Sequence, residues 1–137
     1  MKLDLVYHTA DVETLIATAM LTTTSGANPS TLFNRLKEKK ERVGDVVGRL
    51  EAQHGSILEH NRLVWLMEAA ESKVLDLALR SRFLTITRLG DDRWLLSANL
   101  RTVVELAGDD DPFSRSLAES IQDVAPNLNV SSSGSGS

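Results

Sequence analysis

The sequence contains no cysteine, which excludes a disulfide framework, thiolate metal ligands and a cysteine nucleophile. Aromatic residues make up only 4% of the 137 residues, so the core must be built from Leu, Val, Ile and Ala. No hydrophobic run approaches the roughly 20 residues that span a bilayer, and Met1–Asp4 does not resemble a signal peptide. We therefore expect a cytoplasmic protein that does not enter a membrane.

An excess of positive charge is also lacking. Nineteen Asp and Glu residues outweigh fifteen Lys and Arg residues, which gives a formal net charge of −4. A domain that binds a nucleic-acid backbone usually carries a basic excess, so nucleic acid is not an expected partner. The basic residues cluster between Arg35 and Arg49 and between Arg80 and Arg101, whereas Asp109–Asp111 is the sharpest acidic run.

The composition is that of one ordinary globular domain. Hydrophobic residues account for 42% of the chain and charged residues for 25%, which are typical values for a single folded unit of this length. We predict one domain over residues 1–130. The last seven residues, Ser131–Ser137, contain only Ser and Gly, and we interpret them as a flexible linker outside the fold.

The spacing of apolar residues predicts strands and helices in alternation. Strands are predicted over Lys2–His8, Arg62–Ala70 and Trp94–Ala98. Helices are predicted over Val12–Thr22 with Asp11 as the cap, Pro29–Gln53, Ser72–Phe83 with Ser72 as the cap, Asn99–Ala107 and Pro112–Ala125. Leu89–Asp92 is predicted to be a tight turn. The interleaving favours an α+β or α/β domain around a small sheet.

The first chemically rich segment is His54-Gly55-Ser56-Ile57-Leu58-Glu59-His60, at the junction of a predicted helix and a predicted strand. Two imidazoles, a hydroxyl and a carboxylate lie within seven residues, and functional side chains are common at such junctions. The alternative is structural, because Ser56 and Glu59 have the spacing of a capping box and the histidines would then be ordinary surface residues. A zinc site is not favoured, since no third ligand is evident.

The second segment places Arg80 and Arg82 at the predicted end of a helix. Two residues in this spacing cannot share a helix face, so we expect the helix to end here or the two side chains to reach different partners. Guanidinium groups recognise phosphates and carboxylates, and three further arginines follow at Arg88, Arg93 and Arg101. The alternative is a favourable interaction of both arginines with the helix dipole.

Together these segments resemble the flavin-dependent thymidylate synthases. The pattern His54-x-Ser56-x-x-Glu59-His60 is similar to the family motif H-x-[ST]-x-x-E-H. Arg80-x-Arg82-x-x-Thr85 is similar to R-H-R-x-x-S at the family's separation. Trp94–Arg101 resembles the family's strand that ends in N-x-R. The resemblance extends over most of residues 1–130.

This resemblance implies a small, mostly antiparallel sheet packed with helices and a homotetramer whose cofactor sites are shared between subunits. It implies FAD as the cofactor and the reductive methylation of deoxyuridylate to thymidylate with methylenetetrahydrofolate and NADPH. The cofactor-binding residues carried over by the motifs are His54, Ser56, Glu59, Arg80, Arg82, Asn99 and Arg101.

The departures from the family pattern concern the substrate. The chain is much shorter between Thr85 and Trp94, and Leu77 stands where the family has a glutamine for the uracil ring. Asp109–Asp111 stand where the family has an arginine-rich turn, and a carboxylate repels a phosphate. Arg88 and Arg93 are the available substitutes as substrate ligands. We therefore expect an FAD-binding relative with a reduced or altered substrate site, leaning towards an enzyme, or alternatively a non-catalytic FAD-binding or scaffold homologue.

Overall fold

The computed structural model of the chain describes residues 1–22, 26, 28–50 and 52–128, with the backbone alone for residues 52–55. The predicted Ser/Gly linker lies outside the described residues. The strands are β1 (Lys2–His8), β2 (Arg62–Glu68), β3 (Thr85–Gly90) and β4 (Arg93–Asn99). The helices are α1 (Val12–Thr22), α2 (Pro29–Leu36), α3 (Lys40–Val47), a 3₁₀ helix (Ala52–His60), α4 (Glu71–Arg80), α5 (Leu100–Ala107) and α6 (Pro112–Ser120).

The four strands form one antiparallel sheet in the order β1-β2-β4-β3. Side chains alternate between its two faces, as a pleated strand requires. The covered face is made by Leu63, Trp65 and Met67 of β2 and by Trp94, Leu96 and Ala98 of β4, all buried. The opposite face is more exposed and carries Val64 and Leu66. The predicted α+β class is therefore confirmed, with a four-stranded antiparallel sheet and six α-helices in the described part of the chain.

Two tryptophans join the covered face to its surroundings. The indole nitrogen of Trp65 donates to the hydroxyl of Ser120 at 2.9 Å, which fixes α6 over the sheet. The indole nitrogen of Trp94 donates to the carbonyl of Ala69 at 2.9 Å. Both rings thus bury a large apolar area while their single polar atom is bonded, as buried tryptophans require.

The helix starts that position the candidate site are capped by short polar side chains. The Oδ1 atom of Asn99 accepts from the backbone N–H of Thr102 at 2.8 Å and begins α5. Asp111 accepts from the N–H of Ser114 at 3.0 Å and begins α6, with Pro112 at the first helical position. The predicted cap at Ser72 is wrong, because α4 begins one residue earlier and Ser72 lies inside it.

The predicted helix over Pro29–Gln53 is divided into α2, α3 and the 3₁₀ helix. A break at residues 37–39 lets α2 bury Leu36 and α3 bury Val43 and Val47 in the same core, and both helices pack on α1. Within α3, a Cβ atom on Gly44 would lie 2.9 Å from the side-chain amide of Asn127. An alanine at this position would require the side chain of Asn127, which donates to Glu13 at 2.8 Å, to shift.

Strand β3 was not predicted, and the expected turn over Leu89–Asp92 is shorter. β3 extends to Gly90, and Asp91 and Asp92 connect it to β4, with Asp92 at a φ of 55°.

The predicted final helix over Pro112–Ala125 ends at Ser120 and continues as turns. The predictions for β1 and α1 are confirmed at both ends. No helix in the described ranges has the length and apolarity needed to cross a membrane.

Candidate functional site

The end of the 3₁₀ helix and the start of α5 bring two motif residues into contact. The carboxylate of Glu59 accepts from the Nη1 atom of Arg101 at 2.8 Å, although 42 residues separate them. Glu105, one turn further along α5, lies 3.4 Å from the Nε atom of Arg101. The hydrogen bond that Arg101 donates to Glu59 is the main reason that the pKa of Arg101 lies above its ordinary value. The guanidinium therefore stays charged, and it is about half exposed.

A cavity of about 200 Å³ opens beside this ion pair. We call it the Arg101 site, and it is lined by Glu59, Phe83, Asn99, Arg101, Thr102 and Glu105. Its wall combines a cation, two carboxylates, an amide and an aromatic ring. Asn99 holds its Oδ1 on the helix cap, so its amide NH₂ group is the part that can donate to a bound molecule.

Arg82 lies next to the Arg101 site because it contacts Phe83, which lines the cavity. The guanidinium of Arg82 lies 5.0 Å from the centre of the Phe83 ring, within cation–π distance. The hydroxyl of Ser81 accepts from the backbone N–H of Phe83 at 3.2 Å, and α4 has already ended at Arg80. The expectation that Arg80 and Arg82 reach different partners is confirmed.

Arg80 belongs to a separate polar group that we call the Arg80 cluster, made of Arg80, Asp109, Asp111 and Ser114. The Nη2 atom of Arg80 donates to Asp109 at 2.7 Å, to Asp111 at 2.9 Å and to the hydroxyl of Ser114 at 3.2 Å. Its guanidinium also lies 5.8 Å from the centre of the Phe113 ring. Partial burial lowers the pKa of Arg80, but the bonds to Asp109 and Asp111 outweigh it and the net change is upward.

The carboxylate of Asp111 responds in the opposite direction. Partial burial by itself raises the pKa of Asp111, whereas the bonds from the backbone of Ser114 and from Arg80 lower it, and the net change is downward. Asp111 is thus both the cap of α6 and a counter-ion of Arg80. The sequence pattern pointed to repulsion of phosphate at this acidic run, but the run also neutralises an arginine of the same chain.

The two arginine groups lie at opposite ends of α5. Asp109 follows Arg101 by eight residues, or about 12 Å at the rise of an α-helix. A second cavity of about 470 Å³ lies beside Arg80, and its lining is Met1, Lys73, Asp76, Leu77, Arg80, Asp111, Pro112 and Phe113. The structure therefore joins Glu59, Asn99 and Arg101 but sets Arg80 apart from them.

The remaining predicted residues are placed as follows. His54 falls in the 3₁₀ helix and its side chain lies outside the described atoms, whereas Ser56 and His60 are exposed on that helix. Arg88 packs over the Trp94 ring at 5.5 Å. Arg93 begins β4, six residues and about 20 Å from Asn99 along the strand. Neither of the two arginines predicted as substrate ligands thus lines the Arg101 site.

Sequence reasoning missed three residues of the lining, namely Phe83, Thr102 and Glu105. The spacing of Arg101 and Glu105 by four residues is a standard helical ion pair and could have indicated the contact. Phe83 follows Arg82 directly in the sequence, but the turn after α4 determines that its ring lines the cavity. Across the described residues, no group of three or more His, Asp or Glu side chains could hold a metal ion.

Comparisons with protein-family models, curated proteins and solved structures found no match to this chain.

Proposed function

We propose that this chain is an FAD-binding protein related to the flavin-dependent thymidylate synthases, with an altered substrate site. The observation that carries the proposal is the contact between Glu59 and Arg101. These residues come from two separate motifs of the resemblance, and the antiparallel pairing of Arg62 with Asn99 places the ends of the two motifs side by side. Asn99 and Phe83 complete the same cavity.

The groups at the Arg101 site fit the parts of FAD. Arg101 and Arg82 are cations that suit a pyrophosphate, and Phe83 is exposed over 54% of its surface and offers a ring face for stacking. The carboxylate of Glu59 can accept from hydroxyl and ring N–H groups, and the amide NH₂ of Asn99 can donate to ring C=O groups. Because exposed ion pairs contribute little to stability, Arg101 can exchange a carboxylate for a phosphate. When bound, FAD would supply the hydride chemistry of the reaction.

A cavity of about 200 Å³ is smaller than sites for drug-sized ligands, which span about 300–1,000 Å³. One subunit therefore gives only part of an FAD site. Leu75 and Leu79 are exposed on α4, with Leu79 87% exposed, and Phe83 is exposed in the turn that follows the helix; we call these three residues the apolar stripe. A second copy of the chain that covers this stripe would also close one side of the cavity, because Phe83 belongs to the stripe and to the cavity lining.

A homotetramer of dihedral symmetry needs two different interfaces, and the described residues form two surfaces that carry exposed apolar side chains. The stripe on α4 is one of them. The other is the exposed face of the sheet, where Leu66 is 44% exposed and Tyr7 on the neighbouring strand is 57% exposed. Apolar patches of this kind commonly mark protein interfaces. We therefore propose self-association into a tetramer with shared flavin sites.

The altered substrate site rests on the Arg80 cluster. Asp109 and Asp111 stand where the resemblance implies an arginine-rich turn for the nucleotide phosphate, and both are paired with Arg80, so a phosphate group at this end of α5 would meet two carboxylates and a cation that they already bind. We propose that deoxyuridylate binds poorly and that another small molecule is the substrate. The alternative is a non-catalytic FAD-binding homologue, which the same neutralised arginine also favours.

FAD titration followed by flavin fluorescence and calorimetry tests the proposal. We expect Arg101→Ala to weaken FAD binding by at least about tenfold, because a charge-assisted contact is lost. Arg115→Ala is the matched control, since Arg115 is an exposed arginine paired with Asp110 at 2.9 Å on another helix. Equal affinities of the two variants would exclude the Arg101 site as the flavin site.

Two further measurements test the rest of the proposal. Titration of the flavin-loaded protein with deoxyuridylate tests the altered substrate site, and light scattering with and without FAD tests the tetramer.

A further inference from the structure

The cavity of about 470 Å³ beside Arg80 shares no lining residue with the Arg101 site. Its volume falls within the range of about 300–1,000 Å³ that small-molecule sites occupy. Leu77 of α4 and Phe113 of α6 line it, although they are only 3% and 4% exposed. The cavity therefore reaches the edge of the hydrophobic core, and Pro112 adds further apolar surface. We call it the α4–α6 cavity.

One side of α4 forms a wall of this cavity. The residues that α4 contributes are spaced by three and four positions, so they share one side of the helix; they are Lys73, Asp76, Leu77 and Arg80. Leu75 and Leu79 of the apolar stripe do not line the cavity. The stripe and the cavity are therefore distinct surfaces of the same helix.

The cavity lining includes four charged side chains, and two of them are committed to the fold. Arg80 and Asp111 are paired at 2.9 Å, and Asp111 also caps α6. Lys73 and Asp76, by contrast, are exposed on α4. Each can exchange its water for a charged group of a ligand without breaking a contact between helices. These two side chains are thus the groups of the lining that can pair with a ligand.

The opposite signs of Lys73 and Asp76 decide the class of ligand. A molecule whose only charge is a carboxylate would be attracted by Lys73 but repelled by Asp76, and a molecule whose only charge is an ammonium group would meet the reverse. A molecule that carries both groups close together can pair with both side chains. Its apolar part can then cover Leu77 and Phe113. An α-amino acid with an apolar side chain has this arrangement.

We propose that the α4–α6 cavity binds a free amino acid with an apolar side chain. Lys73 binds the carboxylate and Asp76 binds the ammonium group. The apolar side chain of the ligand lies against Leu77, Pro112 and Phe113. Because this site is separate from the Arg101 site, the inference does not depend on whether the protein binds FAD.

The test is an NMR titration of the ¹⁵N-labelled protein with L-phenylalanine. We expect a dissociation constant of about 1 mM, because exposed charge pairs contribute little, and shifts of the backbone amides of Leu77 and Phe113. Two analogues keep the phenyl group and one charge each, namely 3-phenylpropanoate without the ammonium group and 2-phenylethylamine without the carboxylate. Both should bind at least about threefold more weakly than phenylalanine.

Two substitutions remove the charges of the site one at a time. Lys73→Gln and Asp76→Asn should each weaken phenylalanine binding at least about threefold. Asp76→Asn should also strengthen the binding of 3-phenylpropanoate, because the repulsion of its carboxylate is removed. Lys40→Gln, at an exposed position of α3, is the matched control and should leave phenylalanine binding unchanged.

Several outcomes would overturn the inference. Amides of Leu77 and Phe113 that do not shift, or shifts confined to the Arg101 site, would show that phenylalanine does not enter the α4–α6 cavity. Either analogue binding as tightly as phenylalanine would show that one charge is sufficient and that the ligand class is wrong. Equal losses of affinity in Lys40→Gln and Lys73→Gln would assign the effect to the net charge of the protein.

Discussion

Helix α5 separates two arginine groups that the sequence presents as members of one site. At its C-terminal end Arg80 is bonded to Asp109, Asp111 and Ser114 and lies over a buried ring. At its N-terminal end Arg101 has two carboxylate neighbours in solvent. The side chain of Arg80 is 29% exposed and that of Arg101 is 44% exposed.

The difference shows what a motif can and cannot specify. An arginine in a sequence motif identifies a cation. The surrounding fold decides whether carboxylates of the same chain pair with that cation or leave it accessible to a ligand. Arg80 ties α4 to the start of α6 and is the less exposed of the two arginines, whereas Arg101 ties the 3₁₀ helix to α5 with a guanidinium that is about half exposed. Three variants test this contrast, and they are ordered by the size of the expected effect.

Arg80→Ala should have the largest effect on stability. It leaves two carboxylates without their cation and uncovers Phe113, so we expect the free energy of unfolding to fall by about 1–2 kcal/mol, between the ranges for exposed ion pairs and for buried charged hydrogen bonds. Urea unfolding at neutral pH measures it. Arg115→Ala, an exposed ion pair, is the control and should change stability by less than about 0.5 kcal/mol. Equal losses in both variants would show that Arg80 is an ordinary surface cation.

The parts of this contrast that the sequence could predict are local. Asn99 and Asp111 stand directly before helices and Pro112 follows its cap, so the starts of α5 and α6 can be read from adjacent residues. The end of α4 is less clear, but the spacing of Arg80 and Arg82 already required different surroundings for the two side chains.

The parts it could not predict depend on contacts between distant segments. Nothing next to Arg80 indicates that Asp109 and Asp111 will lie against it, because the contact depends on how α4 packs beside α6. β3 is an edge strand with Thr85, Thr87 and Arg88 among its residues, so it lacks the apolar alternation that identifies a strand. The break between α2 and α3 likewise follows from packing on α1 and not from a proline or a glycine at residues 37–39.

Asp111→Asn should have an intermediate, pH-dependent effect. The pKa of Asp111 is lowered in the folded protein, so its charge stabilises the fold above the unfolded pKa of about 3.9, and this contribution is lost as the pH falls through the folded pKa. Asparagine keeps one oxygen for the helix cap, but an amide NH₂ group takes the place of the Oδ2 atom that accepts from Arg80 and from the hydroxyl of Ser114, so the charge and these two bonds are lost together. We expect the variant to be less stable than the wild type by about 1 kcal/mol at neutral pH, and we expect this difference to shrink as the pH falls below about 3.9, as measured by urea unfolding from neutral pH into acid. A difference that persists in acid would assign the effect to the cap.

Glu59→Gln should have the smallest effect on stability. Both partners of the Glu59–Arg101 pair are about half exposed, and pairs of this kind are screened by solvent and salt, so removal of the charge should not move the urea midpoint measurably. Urea unfolding is repeated at low and high salt, because any contribution of the ion pair to the free energy of unfolding would be larger at low salt, where the charges are screened less. Glu105→Gln, which removes the other carboxylate beside Arg101, is the matched control and should behave in the same way. A midpoint shift as large as that of Arg80→Ala would mean that Arg101 is also committed to the fold, and the two ends of α5 would then no longer differ in what they leave free for a ligand.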